Sequence, residues 1–190
     1  MADAIGTLLS RARRARFENP SDARRDLVEA VALARTAKDP MQLAQALTAL
    51  GQIERDLHHS DEALHHYEEA AAIYRLADHR LADHRTADVP LKLAHTIRHV
   101  GDIHRHEGRT EPAESCYQEA LAIYRAHPEM PPLDLANALR GFALLKETAA
   151  DPQTAKSLWE EAGKLYASVN VEAGVAESKR RLALLKAQSD

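Results

Sequence analysis

Cysteine is almost absent from this chain: Cys116 is the only one among 190 residues. A lone cysteine excludes a disulfide within the chain and favours a reducing compartment. Long apolar runs are missing too. No stretch approaches the roughly 20 apolar residues of a membrane-spanning helix, and the N-terminus lacks the uninterrupted apolar core of a secretion signal. We therefore predict a cytoplasmic protein without a membrane partner.

An excess of positive charge is missing as well. The formal net charge is −4, whereas nucleic-acid binding usually needs a strongly basic face. Glycine-rich phosphate loops and an H-E-x-x-H zinc motif do not occur in the sequence. The sequence does not indicate a general base that would activate the hydroxyl of Ser115 or the thiol of Cys116. These absences predict a chain with no nucleic-acid partner, no cofactor and no catalytic activity.

What the chain does contain is an internal repeat. Three copies each begin with a proline three residues before a Leu-Ala pair, at Leu43, Leu93 and Leu135. Apolar residues then recur at intervals of three and four, which is typical of an amphipathic helix. A turn and a second helix-spaced segment follow in each copy. Each copy is therefore predicted to be a pair of antiparallel helices.

These copies resemble the tetratricopeptide repeat, which has a Leu-Gly pair in its first helix followed by small and aromatic residues at fixed offsets. The middle copy matches position for position through Gly101, Gly108, Ala113, Tyr117 and Ala120. His58 and Ala150 stand at the place of the turn glycine in the other copies. The spacing exceeds the usual length of about 34 residues, so the chain resembles a subclass with repeats of about 40 residues.

The resemblance implies an all-α fold, a right-handed α-solenoid of about nine helices in one domain over residues 1–190. Its predicted parts are a degenerate first repeat at 1–38, repeats at 39–88, 89–131 and 132–170, and a C-terminal capping helix at 171–190. Residues 5–17 would form the first helix. Residues 76–88 contain a tandem Leu-Ala-Asp-His-Arg and either extend the preceding helix or loop out. We favour the helix because the Asp and Arg spacing allows local ion pairs.

The repeated aromatic residues are predicted to be core. Tyr67, Tyr117 and Trp159 occupy the same place in the three copies. Small residues would lie where two helix backbones approach, and these rings would fill the remaining gap. We therefore do not interpret them as a platform for stacking nucleic-acid bases.

The resemblance also implies a concave groove lined by the first helix of each pair. The groove places of the motif fall on Gln45, Thr48, Gln52, Arg55, His95, Arg98, Asp102, Arg105, Asn137, Arg140, Leu144, Glu147, Glu177 and Arg180. Arg98, Arg140 and Arg180 share one motif place, so a solenoid would stack their guanidinium groups. Such a ladder suits an acidic or carboxylate-bearing segment. The alternative is that these side chains only solvate an exposed helix face.

The sequence thus predicts a non-catalytic module that binds a peptide or a partner protein in its groove. One alternative is a self-associating scaffold whose end helices stack on another copy. Another is a metal- or pH-responsive regulator built on the histidine stripe of His95, His99 and His106, since histidines at i and i+4 can chelate a metal ion. One helix supplies too few ligands for a closed site, so we predict no metal.

A basic cluster near the N-terminus leaves a further choice open. The predicted first helix contains four arginines in a stretch of six residues: Arg11, Arg13, Arg14 and Arg16. They could meet an acidic partner or a membrane surface, or form the polar face of an amphipathic helix. We favour the structural interpretation.

Overall fold

Nine α-helices account for the architecture of residues 2–80, 88–127 and 129–187, the parts of the chain that the computed structural model describes. No strand occurs in these residues, so the predicted all-α fold is confirmed. The helices are α1 (Ala2–Ala15), α2 (Pro20–Ala37), α3 (Pro40–Asp56), α4 (Ser60–Arg80), α5 (Asp88–His106), α6 (Thr110–Arg125), α7 (Pro132–Thr148), α8 (Pro152–Ser168) and α9 (Glu172–Ala187). We call the odd-numbered helices first-type and the even-numbered ones second-type.

Proline marks the start of several helices, as the repeat pattern predicts. Pro40 and Pro132 are the first residues of α3 and α7, where a missing N–H costs no hydrogen bond. The side chain of Asp39 caps α3 by accepting a hydrogen bond from the Gln42 backbone N–H at 3.0 Å. The middle copy differs slightly, because α5 begins at Asp88, two residues before Pro90.

The turn within each helix pair has a left-handed residue at the place predicted for the turn glycine. Gly108 has φ 72°, and His58 and Ala150, which replace glycine there, have φ 64° and 56°. This conformation costs an L-residue about 1–2 kcal/mol. The turn therefore keeps its left-handed conformation even where the sequence has histidine or alanine in place of glycine.

The tandem segment and the first helix show where the sequence prediction holds. α4 runs without a break to Arg80, which agrees with the favoured helical extension up to that residue. Residues 81–87 lie outside the described residues. The prediction that residues 5–17 form the first helix is wrong at its end, because α1 stops at Ala15 and Phe17 is 84% exposed. Phe17 has no apolar partner there that would reward a further helical turn.

Contacts divide the chain into two compact units, unit 1 (Met1–Thr96) and unit 2 (Ile97–Asp190). In unit 1, α2 packs on α1 and α3, and α3 packs on α4. Its core contains the fully buried rings of Tyr67 and Tyr74. Gly51 lets α3 approach α4 closely, because a Cβ at this position would lie 3.2 Å from the Tyr67 ring.

Unit 2 is built on the same principle. α7 packs on α6 and α8, and α8 packs on α9. Tyr117 and Trp159 are fully buried, which confirms the predicted core role of the repeated aromatics. A Cβ at Gly141 would come within 2.7 Å of the Tyr117 ring. The helix backbones are therefore spaced by aromatic rings that lie directly on glycine.

Replacing the left-handed alanine by glycine should stabilise the protein. We expect Ala150→Gly to raise the free energy of unfolding by about 0.5–1 kcal/mol, because the strain in the folded state exceeds the extra entropy that glycine adds to the unfolded chain. Ala150 is exposed, so no side-chain packing is lost. Urea unfolding measures the change.

The matched control is the preceding residue. Ala149 is also exposed but has φ −83°, so Ala149→Gly should destabilise by about 0.5–1 kcal/mol. If the two substitutions shifted stability in the same direction, strain at Ala150 would be refuted as the cause.

Candidate functional site

A cleft of about 590 Å³ opens among the first-type helices of unit 1. Four predicted groove residues line it: Gln45, Thr48, Gln52 and His95. α1 contributes one wall of the cleft, and Tyr74 of α4 also lines it. The other lining residues are Leu9, Ala12, Arg13, Arg16, Leu27, Ala49, Ile53, Tyr74 and Lys92. The structure thus brings three of the four predicted groove residues of α3 together with His95 of α5, whereas Arg55 is not a lining residue and lies 3.5 Å from Asp56.

The inner part of the cleft is apolar with a few hydroxyl groups. Leu27 and Ile53 are buried lining residues. The Thr48 hydroxyl donates to the Ala44 carbonyl at 2.8 Å, so it is held in a fixed rotamer. Burial raises the pKa of Tyr74 to about 12, and the phenol stays protonated near neutral pH. The floor therefore offers apolar contact and neutral polar groups.

The rim of the cleft is basic. None of its lining residues is an aspartate or glutamate, whereas Arg13, Arg16 and Lys92 all line it. Arg16 Nε donates to Asp56 at 2.6 Å, and Lys92 Nζ donates to Asp88 at 2.6 Å. Arg13 is exposed and has no ion-pair partner among the described residues. Its charge is therefore available to an incoming anion.

Among the four predicted groove residues of α5, Arg98 is buried rather than exposed. It is 9% exposed, and its Nη1 donates to Asp102 Oδ2 at 2.8 Å within the same helix. The Tyr117 hydroxyl donates to the other oxygen of Asp102 at 2.7 Å, and Arg105 Nε donates to the Tyr117 oxygen at 3.3 Å. Three predicted groove side chains thus form one internal network through a core tyrosine.

The network explains the ionisation of its members. Burial alone would raise the pKa of the Asp102 carboxyl, but His99 and the Arg98 guanidinium hold that pKa well below its usual range. Burial and the charge of Asp102 raise the pKa of Tyr117. The carboxylate therefore stays charged and the phenol stays protonated, which is the combination that their hydrogen bond needs.

The groove residues of α7 and α9 also pair with one another. Arg140 donates to both oxygens of Glu177, at 2.6 and 3.0 Å. The hydrogen bonds from Arg140 lower the pKa of the Glu177 carboxyl. Asn137 Oδ1 accepts from the Tyr166 hydroxyl at 2.9 Å. These contacts tie first-type helices to each other and to a core ring.

Glu147 is the remaining polar groove residue of α7. It accepts from Trp159 Nε1 at 2.5 Å and from Arg181 Nη1 at 2.9 Å. Arg180, the third member of the predicted arginine ladder, is exposed. The ladder therefore has two arginines in internal ion pairs and one at the surface.

The histidine stripe of α5 is divided among three environments. His95 lines the cleft of unit 1. His99 is 3% exposed and lies 2.8 Å from Arg98 through its Nε2. His106 is exposed and lies 3.0 Å from Arg105. Within the described parts of the chain, no three His, Cys, Asp or Glu side chains converge as a metal site would require.

Sequence reasoning missed the α1 wall of the cleft. α1 has neither the Leu-Ala pair nor the glycine of the repeat, so its groove places could not be aligned with those of α3. The basic cluster was the available signal, and the structure divides it. Arg13 and Arg16 line the cleft, whereas Arg11 forms an ion pair with the buried Asp26, and Arg14 is exposed and is not a lining residue.

Comparison with known proteins identifies the repeats. Residues 43–77 and 93–127 match the profile of the tetratricopeptide repeat. No curated protein sequence matches the chain. No helix in the described ranges is long and apolar enough to cross a membrane.

Solved structures share the fold. A Podosopora anserina protein with nearly identical TPR-like repeats of the kinesin light chain kind has 14% identity and a TM-score of 0.62, over 98% of this chain and 96% of that one. BtubC of P. vanneervenii has 18% identity and a TM-score of 0.55, over 97% and 90%. MamA has 12% identity and a TM-score of 0.56, over 99% and 94%. At these identities the likeness shows a TPR-like helical repeat fold, while a repeat of about 40 residues stays a prediction.

Removing the charge of Asp102 should reveal the strength of the network. We expect Asp102→Asn to lower the free energy of unfolding by about 2–3 kcal/mol near pH 7, because it leaves the buried Arg98 without its counter-ion. Since the folded-state pKa of Asp102 is depressed, its contribution is complete above the unfolded-state pKa of about 3.9 and declines as the pH falls below that value. Urea unfolding at a series of pH values measures the gap between the two proteins.

An exposed pair serves as the control. Arg125 and Glu161 form an ion pair at 2.7 Å with half-exposed side chains, so Glu161→Gln should change stability by less than about 0.5 kcal/mol. A gap between wild type and Asp102→Asn that stayed constant from neutral to acid pH would contradict a depressed carboxyl pKa.

Proposed function

We propose that this chain, which is a tetratricopeptide-repeat protein, is a non-catalytic binding module that holds an acidic or carboxylate-bearing segment of a partner protein in the cleft of unit 1. The repeat fold by itself supports a role in protein interaction or scaffolding. The choice of cleft and of ligand chemistry goes further. It is carried by one observation: a concave surface of about 590 Å³ with a basic rim and no acidic lining residue.

The size and lining of the cleft suit a peptide. Sites of about 300–1,000 Å³ enclose a few side chains, and apolar walls with a small number of polar groups are typical of them. Leu9, Leu27 and Ile53 supply the apolar contact. Gln45 and Gln52 each carry an amide that can both donate to and accept from a peptide backbone.

Charge favours an anionic segment. Arg13 projects a guanidinium with no counter-ion among the described residues, and guanidinium binds carboxylate in a bidentate fork. Arg16 and Lys92 are paired with Asp56 and Asp88, but their distal N–H groups remain donors at the rim. A basic peptide would meet like charges and no carboxylate in the lining.

The chemistry of the lining supports binding rather than catalysis. Its described residues include no carboxylate and no thiol. The Thr48 hydroxyl donates its proton to the Ala44 carbonyl, and an activated nucleophile would instead donate it to a base. In unit 2, Arg98 and Arg140 are held in ion pairs with Asp102 and Glu177. Arg180 is the arginine of the predicted ladder that remains exposed for a ligand there.

Charge reversal at Arg13 tests the proposal. We expect a short fluorescent peptide rich in glutamate to bind the wild-type protein, and Arg13→Glu to weaken binding about tenfold or more. Raising the salt concentration should weaken binding of the wild type more than that of the variant, because the variant has lost an attractive charge pair. Fluorescence anisotropy measures both affinities.

Arg14→Glu is the matched control. Arg14 is the adjacent residue of α1 and is also exposed, but it does not line the cleft. Its reversal changes net charge by the same amount, and we expect it to alter affinity less than about twofold. Equal losses in the two variants would reduce the effect to net charge, and tighter binding of a lysine-rich peptide would refute the ligand chemistry.

A second variant tests the location independently of charge. Ala49 lines the cleft and is partly exposed, so Ala49→Trp should fill the cleft and abolish peptide binding while leaving the helix content unchanged. Binding that survived this substitution would place the peptide elsewhere.

A further inference from the structure

The aromatic side chains of this protein divide into two unequal groups. Seven of the eight are at most 7% exposed and belong to the cores of the two units. The eighth, Phe17, is 84% exposed and lies two residues beyond the end of α1. A single exposed apolar side chain needs no special explanation in itself, so the surroundings of Phe17 decide whether it has a role.

Arg16 holds the Phe17 ring beside the cleft of unit 1. The guanidinium carbon of Arg16 lies over the ring, 5.0 Å from the ring centroid, which is the geometry of a cation–π contact. Arg16 itself lines the cleft, and its Nε donates to Asp56 Oδ2 at 2.6 Å. The guanidinium is therefore restrained by a carboxylate and by the ring. Phe17 is one side chain away from the cleft, and most of its own surface is open.

Phe17 lies four residues after Arg13, the cation on which the proposed ligand contact depends. The chain turns tightly between them, because the Glu18 and Asn19 N–H groups both donate to the Ala15 carbonyl, at 3.1 and 2.7 Å. Four residues of helical backbone span about 6 Å. In an extended peptide, the side chains on one side recur every second residue, about 6.6 Å apart. In a segment that runs along α1, a side chain two positions from the one that meets Arg13 would therefore reach Phe17.

Charge distinguishes the two ends of this edge of the cleft. At one end, the Arg13 guanidinium is exposed and has no ion-pair partner among the described residues. At the Phe17 end, Asp56 already pairs with Arg16, and Glu18 is exposed. A ligand carboxylate at the Phe17 end would meet two like charges, whereas an apolar side chain there would cover the ring. The edge therefore suits an acid at one end and an apolar side chain at the other.

We propose that Phe17 is a specificity-determining residue of the unit 1 cleft, which selects partner segments with a large apolar side chain two residues from the carboxylate that Arg13 binds. This inference rests on the function proposed above and adds a second element to the sequence that the cleft recognises. The apolar side chain packs on the face of the ring opposite Arg16, so apolar surface of both groups is removed from water. The ring loses little conformational freedom on binding, because Arg16 already restrains it.

Two fluorescent peptides of identical composition test the spacing. The spaced peptide contains Leu-Ser-Glu-Ser-Leu, with each leucine two residues from the glutamate. The adjacent peptide contains Ser-Leu-Glu-Leu-Ser, with each leucine next to the glutamate. Because both sequences are symmetric, the result does not depend on the direction in which the peptide binds. We expect the spaced peptide to bind the wild-type protein about fivefold more tightly in fluorescence anisotropy, since its leucines lie on the same side as the glutamate.

Substitutions assign the preference to Phe17. We expect Phe17→Ser to bring the two affinities to within about twofold of each other, and Phe17→Trp, which keeps a large ring, to retain the preference. Leu133→Ser is the matched control, because Leu133 is also an exposed apolar residue but does not line the cleft. It should leave both affinities unchanged. Circular dichroism should show the same helix content in all four proteins, since neither position is buried.

The outcomes separate this inference from the function on which it rests. Equal affinities of the two peptides for the wild-type protein, or a preference that Phe17→Ser preserves, would overturn the role of Phe17. If Arg13→Glu still weakened both peptides in that case, the acidic-ligand proposal would stand. Failure of both peptides to bind, while the glutamate-rich peptide binds, would overturn this inference alone. Failure of all three peptides to bind would overturn the proposed function as well.

Discussion

Close contact between a helix backbone and an aromatic ring is the constraint on which both units depend. Gly51 lies under the Tyr67 ring in unit 1, and Gly141 lies against Tyr117 in unit 2. Each ring is fully buried, so it contributes a large apolar area and also sets the distance between two helices. A side chain at either glycine would push the helices apart and disturb every contact along them. The groove side chains keep their positions because this spacing is fixed.

The two units use the groove positions of the repeat in different ways. In unit 2 several of the positions carry charged residues that pair with one another, as with Arg98 and Asp102 or Arg140 and Glu177. In unit 1 the equivalent positions of α3 carry Gln45, Thr48 and Gln52, which line the cleft, and Arg55, which lies 3.5 Å from Asp56. Side chains that pair internally give up their capacity to bind a ligand, and uncharged shorter ones retain it. This difference is why the proposed ligand site lies in unit 1.

Surfaces outside the groove follow from the same repeat. A first-type helix has two apolar faces, one for the preceding pair and one for its own second-type helix. α9 buries Gly174 against the Tyr166 ring of α8, whereas its Ala176 and Ala183 are exposed and the corresponding Ala136 and Ala143 of α7 are fully buried.

The sequence by itself determined the helical nature of the described segments, the starts of α3 and α7 at proline, the place of the turns at His58 and Ala150, and the buried aromatics, because all of these follow from local spacing and backbone preference. The alignment of the repeats also predicted Gln45, Thr48 and Gln52 as groove residues, and these three line the cleft of unit 1. The sequence did not determine which polar side chains would form ion pairs with other side chains of the protein. Arg98 and Arg180 occupy the same motif place, yet one is buried against Asp102 and the other is exposed. Only the tertiary structure decided that, because an ion pair depends on which side chains other helices bring within a few ångströms, and a periodic pattern carries no information on those distances.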